Sequence, residues 1–172
     1  DKGGLEFELY PNVDLSSSGT LMFWVMPVDW QVGNEPSLAW IRMQGLSSNQ
    51  KGIVNVIRSG SGTKRISCSI NGFSHMSSAS ASTVASDTWQ NNEWHLIALN
   101  WGRGWLEIVV DGFSNRRVSI ERPIRQDEVL AGKLRIGYLG GPMCLIDEIM
   151  VTRRMLTIGE VRKIYEAGHE RQ

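Results

Sequence analysis

Short stretches of alternating apolar and polar residues, separated by clusters of Gly, Asn and Ser, run through most of this chain and predict strands rather than helices. Leu5-Glu6-Phe7-Glu8-Leu9 alternates with the period of a half-buried strand, and a turn cluster follows at Pro11-Asn12 and from Ser16 to Gly19. Residues 20–26 are apolar on both faces. That pattern predicts a central strand covered on both sides and closed by Pro27. Further strands are read at 38–43, 52–57, 65–70, 94–101, 106–110, 117–120, 134–139 and 145–151. Asp111-Gly112 sits between two of them and predicts a tight hairpin, because both turn positions of a type I′ turn need positive φ. The small, polar, aperiodic stretch 72–87 reads as a loop or an irregular strand edge. One helix is predicted near the end. Thr157 and Glu160 form a capping box, Ile158, Val161, Ile164 and Tyr165 share a face, and Gly168 is its stop. Its apolar stripe is expected to cover an open end of the strand assembly. About ten short strands with turn residues between them predict an all-β, antiparallel two-sheet sandwich with one short C-terminal helix.

Length and composition narrow the picture without naming a chemistry. At 172 residues, with 41% hydrophobic and 21% charged side chains, the chain suits one globular domain spanning 1–172. Lys plus Arg and Asp plus Glu number 18 each, so nucleic-acid binding by counterion release has little field to work with. No stretch of 18 apolar residues is present to span a membrane. The chain opens at Asp1-Lys2-Gly3-Gly4 without Met or a signal peptide, as expected of a segment of a longer protein. Cys68 and Cys144 are either a bridge between two strands or two buried small apolar side chains. Seven tryptophans are the compositional oddity, because indoles serve both as core and as flat stacking platforms.

Five motifs carry a resemblance. Gly19 to Pro27 followed by Trp30, Glu93-Trp94-His95-Leu96-Ile97-Ala98-Leu99-Asn100-Trp101, Leu106-Glu107-Ile108-Val109-Val110-Asp111-Gly112, Leu134-Arg135-Ile136-Gly137, and Ile146-Asp147-Glu148-Ile149 with Leu156-Thr157 and Glu160 through Tyr165 occur in this order. Together they resemble the laminin-G-like jelly rolls of the concanavalin A-like lectin and glucanase superfamily, from about residue 3 to 168. The resemblance implies two curved antiparallel sheets, an exported or cell-surface setting, and a carbohydrate-binding or adhesive role. It also implies that Trp24 and Trp94 are core, that His95 is structural, and that Asp147 helps ligate a structural Ca²⁺. The alternative for Asp147 is an ion pair with an arginine such as Arg135 or Arg153.

Catalysis finds no support in the residues. Glycosidases need two carboxylates flanking a sugar bond, and the Glu-x-Asp-x-x-Glu strand of the related glucanases is missing. Asp147 and Glu148 are adjacent, so on a strand they point to opposite sides. His75, His95 and His169 lack zinc spacing. Trp40 lies in an apolar strand and reads as core. Trp30, Trp89, Trp101 and Trp105 fall at strand ends or in loops beside polar residues, among them Asn100 and Arg103. Sugar recognition uses this mixture, a ring beneath the C–H face with amides or guanidinium on the hydroxyls, and Trp101 with Trp105 is the leading pair. Arg116, Arg117, Arg122 and Arg125 read as a solvated face, or as a contact for an acidic polysaccharide or a neighbouring domain. The expectation is a non-catalytic carbohydrate-binding module, with a protein-interaction or spacer module as the alternative and a degenerate hydrolase third.

Overall fold

The hydrophobic pattern of residues 20–26 finds its explanation in a three-layer arrangement. The computed structural model describes residues 4–28, 38–46, 51–58, 65–71, 79–85, 88–139 and 144–169. These form strands β1 (Leu5–Glu8), β2 (Gly19–Pro27), β3 (Leu38–Leu46), β4 (Lys51–Arg58), β5 (Arg65–Asn71), β6 (Ala79–Ala85), β7 (His95–Gly102), β8 (Trp105–Val110), β9 (Ser114–Ser119), β10 (Lys133–Leu139) and β11 (Cys144–Thr152), followed by helix α1 (Ile158–His169). A six-stranded sheet has the order β1-β10-β3-β4-β5-β6, and a five-stranded sheet the order β11-β2-β7-β8-β9. All described pairings are antiparallel. The protein is an all-β sandwich with one C-terminal helix.

Alternation along β2, β7 and β8 builds two cores from the same strands. Leu21, Phe23, Val25, Ile97, Leu99, Leu106 and Ile108 point into the main core between the sheets, where they meet Trp40, Ile41, Met43, Val54 and Val56. Met22, Trp24, Leu96, Ala98 and Val109 point the other way, beneath Leu156 and Val161 of the helical segment. The helix therefore covers the outer face of the five-stranded sheet rather than an open end of the sandwich. Gly168 is not its stop either, since α1 runs to His169. Gly168 instead allows close approach, for a Cβ there would overlap the Trp24 ring.

The helix begins as its sequence predicts. The Glu160 amide donates to Thr157 Oγ1 at 3.2 Å, and Glu160 Oε2 accepts the Thr157 amide at 2.8 Å. Glu160 also pairs with Arg154 at 2.8 Å. That pairing first, and the Thr157 amide and hydroxyl next, hold its carboxyl down from 4.5 to about 2. A depressed carboxyl contributes stability above its unfolded value and loses it as pH falls through the folded one. The melting temperature should therefore decline between pH 4.5 and about 2, and less steeply in Glu160→Gln. Parallel slopes in the two proteins would show that the cap contributes nothing to acid sensitivity.

Two strand readings change with the structure. β1 is an edge strand, and Leu5 and Phe7 are 60% and 44% exposed rather than half-buried, while Leu9 is buried just beyond it. Ala79–Ala85 within the stretch 72–87 is a regular edge strand, paired with β5 through the ladder and a 2.9 Å contact between the Ser67 and Ser82 hydroxyls. Its small side chains hide it from any apolar period. The hairpin after β8 is a tight turn as expected, with φ of 54° at Asp111 and 67° at Gly112, closed by the Phe113 amide on the Val110 carbonyl at 3.0 Å. The cysteines are separate thiols. Cys68 is a core residue of β5, and burial pushes its thiol up to about 12.

Candidate functional site

Successive side chains of a strand face opposite ways, so Asn100 and Trp101 at the end of β7 part company. Each borders a different cleft at the same end of the five-stranded sheet. On the helix side, Asn100 is 1% exposed and fully bonded. Its Oδ1 accepts from Thr20 Oγ1 at 2.5 Å, and its amide donates to Glu107 Oε2 at 3.0 Å and to the Leu156 carbonyl at 2.9 Å. The Leu156 amide returns to Thr20 Oγ1 at 2.9 Å. This buried network ties the segment before α1 to the sheet. Asn100 is thus a clamp within the fold, not an amide presented to solvent.

Outward from it lies a cleft of about 290 Å³ whose lining includes Trp105, Glu107, Asn115, Arg117, Met155 and Ile158. Glu107 Oε1 accepts from Asn115 Nδ2 at 3.0 Å and from Arg117 at 3.2 Å. The Arg117 guanidinium lies 3.9 Å over the Trp105 ring. The opposing Gly102 leaves room for that indole, since a Cβ there would come within 2.9 Å of it. Trp105 is half-buried. The structure therefore brings Asn100 and Trp105 to one cleft and adds Glu107, Asn115 and Arg117. Sequence reasoning missed Glu107, although its place within an otherwise apolar strand is the signal that marks it.

On the opposite face, Trp101 is 2% exposed, belongs to the main core and donates its Nε1–H to the Asp14 carbonyl at 2.9 Å. The expectation of an open stacking platform is corrected here. Gly19 stands directly across from it, and the indole fills the space above that glycine. A second cleft, of about 320 Å³, begins at the Trp101 edge and is walled by residues of 10–18 and 151–153.

The remaining candidates scatter. Trp89 is half-buried and stacks on His95 at 3.8 Å, with Trp40 at 6.2 Å. His95 Nδ1 meets Asp111 Oδ2 at 3.0 Å. Arg103 is exposed in the turn between β7 and β8, and Trp30 lies outside the described residues. Trp24 is core and stacks on Tyr165 at 5.8 Å, while Trp94 is only partly buried against the second core. The arginine cluster is largely spent on pairs, Arg117 with Glu107, Arg122 with Glu128 and Arg125 with Asp127.

Asp147 is exposed on β11, where its Oδ1 accepts the Glu148 amide at 2.7 Å. Neither arginine named as an alternative partner joins it, Arg135 pairing with Glu6 at 2.6 Å instead. Ca²⁺ takes 6–8 oxygen ligands. Among the described residues no group of three or more His, Cys, Asp or Glu side chains converges to hold a metal. Among the described residues, no helix is long and apolar enough to cross a membrane.

No family model matches the chain, and no curated protein matches it in sequence. Solved structures do match. The receptor-binding domain of a botulinum neurotoxin mosaic serotype C/D is similar with a TM-score of 0.68 at 13% identity, over 95% of this chain and 40% of that one. The binding domain of botulinum neurotoxin serotype D gives 0.64 at 12%, over 95% and 40%. Trypanosoma rangeli sialidase gives 0.57 at 12%, over 89% of this chain and 23% of the enzyme. The chain thus spans less than half the length of these proteins. At such identities the likeness shows the fold, a β-sandwich of the jelly-roll type.

Proposed function

We propose that the chain is a non-catalytic carbohydrate-binding module of an exported or cell-surface protein, laminin-G-like in its strand motifs, and that the cleft beside Trp105 holds the sugar. The observation that carries this reading is the meeting, in one cleft, of an indole and the apolar Met155 and Ile158 with the Glu107–Asn115–Arg117 fork. Apolar surface suits the C–H face of a sugar ring, and a carboxylate, an amide and a guanidinium suit its hydroxyls. The similar neurotoxin domains are by name a receptor-binding domain and a binding domain, which agrees with a binding role. Affinity electrophoresis through a panel of polysaccharides tests it. One of them should retard the chain, and Trp105→Ala and Arg117→Ala should each weaken that binding by about tenfold or more, the loss of one charge-assisted contact or its equivalent, with near-parental melting temperatures. No retardation by any polysaccharide, or retardation unchanged in both variants, would sink the assignment.

A protein-interaction module is favoured by a different feature. Leu145, Ile149 and Val151 on the edge strand β11 are 52%, 36% and 40% exposed, and exposed apolar rows on a free edge are typical contact surfaces.

A further inference from the structure

The cleft on the other face of the five-stranded sheet has a chemistry of its own. Trp101, 2% exposed, borders it, and Val151 adds an apolar wall. The segment opposite is held firmly. The Asp14 carbonyl accepts from Trp101 Nε1 at 2.9 Å and from Ser17 Oγ at 3.0 Å, and Asp14 Oδ1 accepts the Ser16 amide at 3.0 Å and the Ser16 hydroxyl at 2.5 Å. These bonds fix the carboxylate by its backbone and one oxygen, and Oδ2 makes no hydrogen bond among the described residues. Tyr10, Ser17 and Ser18 bring hydroxyls to the same cleft.

Arg153 completes it. The side chain is exposed, and among the described residues it makes no hydrogen bond or ion pair, whereas its neighbour Arg154 is taken by Glu160. Asp14 and Arg153 therefore border one cavity without neutralising each other.

We infer that this cleft is a second ligand site, and that it takes the carboxylate-bearing ring of an acidic sugar, a uronic or a sialic acid. The planar guanidinium of Arg153 receives the ligand carboxylate through paired N–H donors. Asp14 Oδ2 accepts a ring hydroxyl, the Ser and Tyr hydroxyls take others, and the C–H face lies against Val151. About 320 Å³ is at the lower end of small-molecule pockets and suits one sugar residue. A bare inorganic anion would meet the Asp14 carboxylate as a like charge and leave the hydroxyls idle. A neutral sugar would leave Arg153 without a partner. Only a ligand with both features satisfies the whole lining. The inference does not rest on the cleft beside Trp105, which lies across the sheet.

Titration calorimetry of the 172-residue chain with glucuronic acid, N-acetylneuraminic acid, the methyl ester of each and sodium sulfate tests it. One of the two acids should bind saturably, identifying which source supplies the carboxylate, and its methyl ester should bind at least about tenfold more weakly, as loss of a charged hydrogen-bond pair implies. Arg153→Ala should show a similar loss with an unchanged melting temperature, while Trp105→Ala should bind the acid normally. Several outcomes would overturn the inference: no binding by either acid, an ester that binds as tightly as its acid, sulfate binding as tightly as the acid, or full binding by Arg153→Ala. Acid binding lost in Trp105→Ala but kept in Arg153→Ala would place the sugar in the other cleft and end this proposal alone.

Discussion

Trp101→Ala is expected to lower the unfolding free energy by about 3–5 kcal/mol, the range for truncating a fully buried aromatic side chain. The ring is 2% exposed in the main core and is seated on Gly19. Its removal leaves a cavity beneath β2 and strips the Asp14 carbonyl of its indole donor. The cavity dominates, because the net value of one hydrogen bond is only about 1 kcal/mol. For a chain of this length the change corresponds to a drop in melting temperature of about 10 °C. Urea denaturation with a resolved baseline measures it, and a loss below about 1 kcal/mol would contradict a core position. The consequence for function is direct. Any ligand that Trp101→Ala fails to bind is uninformative unless the variant is shown to be folded. Exposed Arg153 and Arg117 and half-buried Trp105 are the sound places to test binding.

Gly112→Ala is expected to cost about 2–4 kcal/mol, from a left-handed backbone and from overpacking together. The residue has a φ of 67°, and a Cβ there would overlap the backbone of Arg162 in helix α1. The helix must then lift from the hairpin. That weakens the 3.0 Å bond from Arg162 Nε to the Gly112 carbonyl and disturbs the second core around Trp24, Leu96 and Val161. Gly104→Ala is the control. Its φ is 90°, but the nearest atom to a new Cβ is the Ile120 carbonyl oxygen at 3.8 Å, so it should show the conformational cost alone, about 1 kcal/mol. The difference between the two variants, read from paired urea curves, isolates what helix docking requires of Gly112. Equal losses would mean that the helix moves freely to accommodate the methyl group.

Both expectations depend on partners that a sequence reading does not supply. The two faces of β7 were legible as apolar, and Asn100 and Trp101 stood out by composition. Their adjacency suggested one site. In the structure the same adjacency separates them, because the strand sends alternate side chains to opposite layers. Trp105 kept a place at a cleft, but with Arg117 drawn over it from β9. Arg153, which the sequence suggested only as a partner for Asp147, became a cleft residue because the bend after β11 faces the turn at 10–18.

What the sequence determined by itself was the local and the periodic. The strand alternation, the Asp111-Gly112 turn and the Thr157–Glu160 cap each depend on residues a few positions apart, whose geometry the backbone imposes within one strand, turn or helical turn. The tertiary structure alone decided which tryptophans are sealed, where the helix lies and which charges stay unpaired. Gly19 accommodates Trp101, Gly102 accommodates Trp105 and Gly168 accommodates Trp24, while Glu6 finds Arg135 across the β1–β10 ladder. Most of these neighbours are far apart along the chain and come together only through sheet register and helix docking. An indole at a strand end is therefore core or platform according to whether a distant glycine leaves space for it, and local residue patterns do not contain that information.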